Sequence, residues 1–159
     1  PQTGIIFLDI TTLLKNPEGL KYVIDNLTAQ CKTLETLPEY IIGIESRGFI
    51  FAPPLAYHLN AGFVPVRKKG KLPAQVYSVE YDLEYGSDIL EIHQDALPEG
   101  AKVMIVDDVI ATGGTAKATA DLVTNIGCDL VACAFVIELS ALEGKNQLPQ
   151  IPILSIVTY

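Results

Sequence analysis

Long apolar runs are missing from this sequence. The longest, such as Leu130–Ile137, fall far below the roughly 20 residues of a membrane-spanning helix. No charged stretch precedes an apolar one near the start, so no secretory signal is expected. The chain opens abruptly at Pro1, and an upstream segment is expected to be missing. Positive charge is scarce: 11 Lys and Arg stand against 19 Asp and Glu, a formal charge of −8. Such an acidic chain is a poor general binder of nucleic acid or anionic membrane, so any phosphate must be held at a local site. Cys31, Cys128 and Cys133 are odd in number and form no C-x-x-C pair. Reduced, mostly buried thiols in a cytoplasmic protein are expected. What is abundant is apolar: 49% hydrophobic residues against 19% charged. That excludes a disordered or fibrous chain. A single domain of 159 residues buries roughly 70% of its unfolded surface and needs no disulfide or structural metal.

No repeat, low-complexity stretch or linker interrupts the chain. Leu20, Val23, Ile24 and Leu27 recur at helical spacing, and Asn16-Pro17 supplies a cap and a first-turn proline, which predicts a helix over Asn16–Lys32. Tyr40–Ile44 reads as a strand, Ile50–Leu59 as a helix and Gly62–Arg67 as a strand. Lys102–Asp107 is apolar throughout its interior, as a parallel strand covered on both faces must be. A helix is expected from Gly113 to about Ile126, stopped by Gly127. Leu130–Ile137 and Ile153–Val157 close the series. This alternation predicts an α/β fold with a mostly parallel twisted sheet, helices on its flanks and a ligand crevice at the strands' C-terminal edge. Leu72–Asp95 departs from the pattern and reads as an extended hairpin or long mobile loop.

One string carries most of the chemistry. Val103–Val106 leads to Asp107-Asp108, then Val-Ile-Ala111-Thr112-Gly113-Gly114-Thr115. Glycines let backbone N–H groups approach an anion, and the helix that follows adds a favourable dipole. The Thr112 and Thr115 hydroxyls are further donors. The string predicts a monophosphate cradle; neither G-x-x-x-x-G-K-[ST] nor G-x-G-x-x-G is present. Two carboxylates beside the cradle would repel the ligand unless they bind something else on it. Sugar hydroxyls, or a divalent cation on them, meet that need, so a ribose 5-phosphate site is expected. Arg47, in Glu45-Ser46-Arg47-Gly48, has the planar fork that suits a pyrophosphate, although an arginine taken alone equally caps a surface turn. Arg67, Lys68, Lys69 and Lys71 place four of the eleven bases within five positions. They form either a solvated turn or a charge cluster for a leaving pyrophosphate. His58 and His93 read as surface or packing residues.

The string resembles the phosphoribosyl-diphosphate signature of the type I phosphoribosyltransferases, and further segments resemble the adenine-specific branch of that family. Gly4–Ile10 is similar to its adenine-site segment, Gly43–Phe49 to its pyrophosphate loop, and Arg67–Pro73 with Leu83–Gly86 to its catalytic loop. Leu8 stands where the family often carries arginine. The resemblance implies the type I phosphoribosyltransferase fold, with a small hood, a long flexible catalytic loop and an N-terminal hood helix absent from this chain. It also implies a cis Glu45–Ser46 peptide that aims the loop's N–H groups at pyrophosphate.

By the same resemblance, adenine and phosphoribosyl diphosphate give AMP and pyrophosphate, a purine-salvage reaction. Asp107, Asp108, Ala111, Thr112, Gly113, Gly114 and Thr115 would hold the ribosyl phosphate. Glu45, Ser46, Arg47, Arg67, Lys68 and Lys71 would face the diphosphate, and Ile6, Phe7 and Leu8 the adenine, with Phe7 stacking on it. Glu84 would be catalytic. Mg²⁺ would arrive with the diphosphate rather than on a protein metal site. A homodimer is implied. Transfer to hypoxanthine, xanthine or orotate is one alternative; a regulator that senses the diphosphate without catalysis is another.

Overall fold

The computed structural model describes residues 9–82 and 86–159. A short helix α1 (Thr11–Leu14) precedes α2 (Pro17–Cys31). Asn16 caps α2 by accepting from the Gly19 N–H at 3.0 Å, and Pro17 occupies the first turn, where its missing N–H costs nothing. Val23, Leu27 and Cys31 are buried on one face of α2. Each such apolar side chain contributes roughly 1.5–3 kcal/mol on leaving water.

Strand β1 (Tyr40–Ile44) leads into α3 (Gly48–Leu59), and β2 (Gly62–Lys68) follows. Helix α3 continues through Pro53 and Pro54, which cannot donate to the Phe49 and Ile50 carbonyls one turn back. Buried Phe51, Ala52, Leu55 and Ala56 hold it on the sheet instead. β3 (Val76–Asp82) and β4 (Ser87–His93) form an antiparallel hairpin. β5 (Lys102–Ile110), α4 (Gly114–Asn125), β6 (Asp129–Glu138) and β7 (Ile153–Thr158) complete the order, with two 3₁₀ turns, Ser140–Leu142 and Gly144–Gln147, between β6 and β7.

The seven strands form one sheet in the order β3-β4-β2-β1-β5-β6-β7. β1, β2, β5, β6 and β7 pair in parallel, and the hairpin joins β2 antiparallel at Arg67↔Glu91 and Lys68↔Leu90. The Leu72–Asp95 segment is therefore a hairpin built onto the sheet edge. One face of β5 contributes Val103 and Ile105 to the core under α4, and the other contributes Met104 and Val106 to the core under α2 and α3. This two-sided burial explains the unbroken apolar run in its sequence. All three thiols are free and buried, and burial pushes Cys31 up to about 11 and Cys133 to about 12. Among the described residues, no helix is long and apolar enough to cross a membrane.

Candidate functional site

The C-terminal edge of β1 and β5 gathers the chemistry-bearing residues. β5 does not stop at its acids: it continues to Ile110, because β6 pairs with it at Asp107↔Phe135, Val109↔Ile137 and Ile110↔Glu138. Ala111, Thr112 and Gly113 then turn into α4. Gly113 has φ of +85°, a left-handed conformation, and a Cβ on it would stand 2.2 Å from the Gly144 carbonyl oxygen. Only glycine fits there. The first N–H groups of α4 follow, lacking helical acceptors of their own. Thr112 is exposed, while Gly114 and Thr115 are half-buried. A cleft of about 400 Å³ lies beside this turn, lined by Tyr81, Asp82, Thr112, Gly114, Lys117 and Gln147 among others. It lies between the cradle and the β3 end of the hairpin.

The two carboxylates differ in environment. Asp108 is 2% exposed, and the Arg47 Nε lies 2.6 Å from its Oδ2. Asp107 accepts the Asp108 N–H on Oδ1 at 2.9 Å. Burial and the neighbouring Asp108 charge push the Asp107 carboxyl well above the usual range. Arg47 stands at the N-terminus of α3, just after the Glu45–Ser46 peptide, which is cis. Its guanidinium thus spans from the β1 loop to the β5 acids. Asp9 accepts from the Thr11 N–H at 2.9 Å and the Thr11 hydroxyl at 2.8 Å. These bonds, helped by the Arg47 charge, hold its carboxyl below the usual range.

The basic cluster is tied into the protein. Arg67 donates to both Glu45 carboxylate oxygens, at 3.2 and 3.3 Å, and to the Lys71 carbonyl at 3.0 Å. The Lys68 N–H donates to Glu45 at 3.0 Å, and its ammonium meets Asp88 at 2.9 Å. Burial pushes Glu45 up, but the bonds from Arg67 and the Lys68 N–H outweigh it, leaving the carboxyl below the usual glutamate range. The Gly70 N–H donates to buried Glu91 at 2.9 Å. Lys69 and Lys71 are exposed.

A glycine turn into a helix, an adjacent acid pair and an arginine bridging to it thus share one edge of the sheet. The phosphoribosyl transferase domain family matches residues 9–152. The chain is 64% identical over 159 residues to an adenine phosphoribosyltransferase of Nostoc punctiforme, covering all of this chain and 92% of that one. The chain belongs to the phosphoribosyl transferase family, among its adenine phosphoribosyltransferases. The crystal structure of the Thermoanaerobacter pseudethanolicus adenine phosphoribosyltransferase superposes with a TM-score of 0.94 at 46% identity, covering 100% of this chain and 91% of that one. The Saccharomyces cerevisiae adenine phosphoribosyltransferase, complexed with an imino-altritol bisphosphate and adenine, gives 0.93 at 43% identity over 99% and 90%. The type I phosphoribosyltransferase fold expected from the resemblance, a mostly parallel sheet flanked by helices, is the one found.

Of the residues singled out in the sequence, Asp107, Asp108, Ala111, Thr112, Gly113, Gly114 and Thr115 occupy the β5–α4 edge, and Glu45, Ser46 and Arg47 the facing β1–α3 loop. Arg67 and Lys68 lie at the end of β2, held by carboxylates of the protein itself, and Lys71 follows them. Ile6, Phe7, Leu8 and Glu84 lie outside the described residues. Sequence reasoning missed Gly144. It carries no motif of its own, and its role comes from backbone packing against Ala111 and Gly113, more than thirty positions earlier.

Proposed function

We infer that the chain is a purine-salvage glycosyltransferase that moves the 5-phosphoribosyl group of phosphoribosyl diphosphate onto adenine, giving AMP and pyrophosphate. The observation that carries this reading is the 2.6 Å pair between Arg47 and Asp108 beside the Ala111–Thr115 turn. It sets a cation suited to diphosphate against an acid suited to ribose, next to amides suited to a 5-phosphate. The relatives' name supplies the base.

In this reading the amides after Gly113, with the Thr112 and Thr115 hydroxyls, receive the 5-phosphate. Asp107 and Asp108 accept from the ribose hydroxyls, and Arg47 turns its fork to the diphosphate. Glu45 and Ser46 shape that loop, and Glu45 keeps Arg67 and Lys68 close to it. Lys71, with Arg67 and Lys68, adds positive charge where the pyrophosphate leaves. The sugar passes through an oxocarbenium-like state, adenine N9 attacks from the opposite face, and the anomeric centre inverts. Ile6, Phe7 and Leu8 frame the base, and Glu84 serves its proton or its developing charge.

Two adjacent carboxylates suit a magnesium ion that comes with the substrate and keeps its own waters; among the described residues no group of three or more His, Cys, Asp or Glu gathers to hold one outright. When bound there, Mg²⁺ supplies charge neutralisation on the diphosphate. Asp107 and Asp108 are the residues that would hold it, directly or through the ribose hydroxyls and water. The buried free thiols suit a reducing, cytoplasmic compartment. The exposed apolar side chains Ile50, Tyr57 and Phe63 on α3 and β2 suit a homodimer.

The test is AMP formation from phosphoribosyl diphosphate and each base in turn. Adenine should be preferred over hypoxanthine, with roughly 10⁴-fold discrimination if buried polar groups read the 6-amino edge. Equal turnover of hypoxanthine or orotate would overturn the base assignment. Binding of phosphoribosyl diphosphate without turnover of any base would point to a sensor.

A further inference from the structure

The Glu138 carboxylate is buried, at 8% exposure, yet lies outside the acid pair assigned to the ribose. It ends β6, opposite Ile110 of β5, one residue before the cradle begins. The Leu139 N–H donates to the Ile110 carbonyl at 3.0 Å, so the two strand ends are fastened there. The Glu138 Oε1 meets the Lys145 ammonium at 2.9 Å. Lys145 belongs to the 3₁₀ turn Gly144–Gln147, and its neighbour Gly144 backs directly onto the cradle. A Cβ on Gly144 would stand 2.2 Å from the Ala111 carbonyl oxygen and 2.7 Å from the Gly113 nitrogen. The reverse contact is equally tight, since a Cβ on Gly113 would stand 2.2 Å from the Gly144 oxygen. Backbone therefore touches backbone on the back of the cradle, and the ion pair ties the outer segment to the strand end.

We propose that Glu138 and Lys145 are positioning residues for ribosyl-phosphate binding, holding the Gly144 turn against Ala111–Gly113 so that the cradle amides keep their aim. The proposal rests on the function inferred above. The carboxylate is buried while the lysine is half exposed; a buried charge is an expensive fastener, because an apolar residue of similar volume is often as stable or more so. Retaining the carboxylate is then explained by placement rather than by stability. Misplacement of binding groups by about 1 Å can cost roughly 100-fold in rate, so a modest slip of this turn is enough to be read kinetically.

The experiment compares the whole protein with Glu138→Met, Lys145→Met, the double variant, Lys145→Arg and Gly144→Ala. Each is measured for KM of phosphoribosyl diphosphate, KM of adenine, AMP affinity, pyrophosphate affinity and Tm. Glu138→Met and Lys145→Met should each raise the phosphoribosyl diphosphate KM about threefold to tenfold and weaken AMP in parallel. Adenine KM and pyrophosphate affinity should stay unchanged. The double variant should be no worse than either single one, and Lys145→Arg should restore the wild-type KM. Gly144→Ala, which pushes on the cradle directly, should give the same selective loss at larger size. A Tm change with unaltered KM values would overturn the proposal, leaving the pair purely structural. Loss in Lys145→Met without loss in Glu138→Met would also overturn it, since a lysine acting on the ligand itself does not need Glu138. Wild-type protein that binds neither AMP nor phosphoribosyl diphosphate would instead overturn the underlying function, and the proposal with it.

Discussion

The cradle and the hairpin are built in opposite ways. The cradle sits on β5 and α4, over the doubly covered centre of the sheet, and its shape is fixed by backbone contact between Gly113 and Gly144. The hairpin of β3 and β4 lies at the sheet edge and meets β2 at two residue pairs, supplemented by Lys68–Asp88 and by Gly70 on Glu91. Every residue of β3 is exposed or half-buried. A site built on a covered strand edge suits the ligand's common part, whereas the hairpin, anchored by buried Leu90 and Ile92 and by Val79 and Tyr81 packed on the core, presents its far end beside that site and suits the exclusion of water from a reactive cation. Affinity for the ribosyl phosphate should therefore follow the cradle, and turnover should follow the hairpin.

The largest effect expected from this contrast is at Glu84, between β3 and β4 in the sequence. Glu84→Ala should lower kcat by roughly 10²–10⁴ while AMP affinity and Tm hold. Glu84→Gln tests the role more finely, since near-full activity there would leave the residue a positioning task and exclude proton transfer. Gly113→Ala is the corresponding break on the cradle side. Left-handed backbone alone costs a non-glycine residue about 1–3 kcal/mol, and the Gly144 oxygen leaves no room for the Cβ. A fall in Tm together with loss of AMP binding is expected by calorimetry; an unchanged Tm would deny the packing described.

Asp107 sharpens the comparison through pH. Its folded-state carboxyl titrates above its unfolded value. The folded chain therefore holds the extra proton between those two values, and the stability this supplies is lost as pH rises through that interval. Asp107→Asn removes the slope and should raise stability at pH 7 by about 0.5–2 kcal/mol, at the expense of phosphoribosyl diphosphate affinity. Denaturant titrations at several pH values check the sign. The smallest effect belongs to the hairpin's fastening: Lys68→Met, which breaks a pair between exposed Lys68 and half-buried Asp88, should change stability by about 1 kcal/mol or less.

Most of the framework was legible in the sequence. The apolar interior of β5 marked a strand covered on both sides, and the Asn16-Pro17 cap placed the start of α2. The turn from β5 into α4 was legible because Gly113-Gly114 marks a break between strand and helix, and Gly113 does adopt a left-handed conformation there. Less legible was what depends on pairing between distant segments. The continuation of β5 past its acids is imposed by β6, and the support from Gly144 arises from a turn more than thirty positions later. The basic cluster could be recognised as charge, but its internal partners Glu45 and Asp88 could not, since long side chains choose partners only in three dimensions. The cis Glu45–Ser46 peptide came from the family resemblance, because no local residue preference announces a cis bond outside proline.

The division of phosphates between two loops is the centre of this account, and calorimetric titration of AMP and pyrophosphate into wild type, Thr115→Val and Arg47→Ala tests it most directly. Thr115→Val removes one hydroxyl donor from the cradle and should weaken AMP by roughly 10-fold or more, as expected for a hydrogen bond to a charged group, leaving pyrophosphate unaffected. Arg47→Ala should do the reverse, weakening pyrophosphate much more than AMP. Equal losses of both ligands in either variant would contradict the two-loop division.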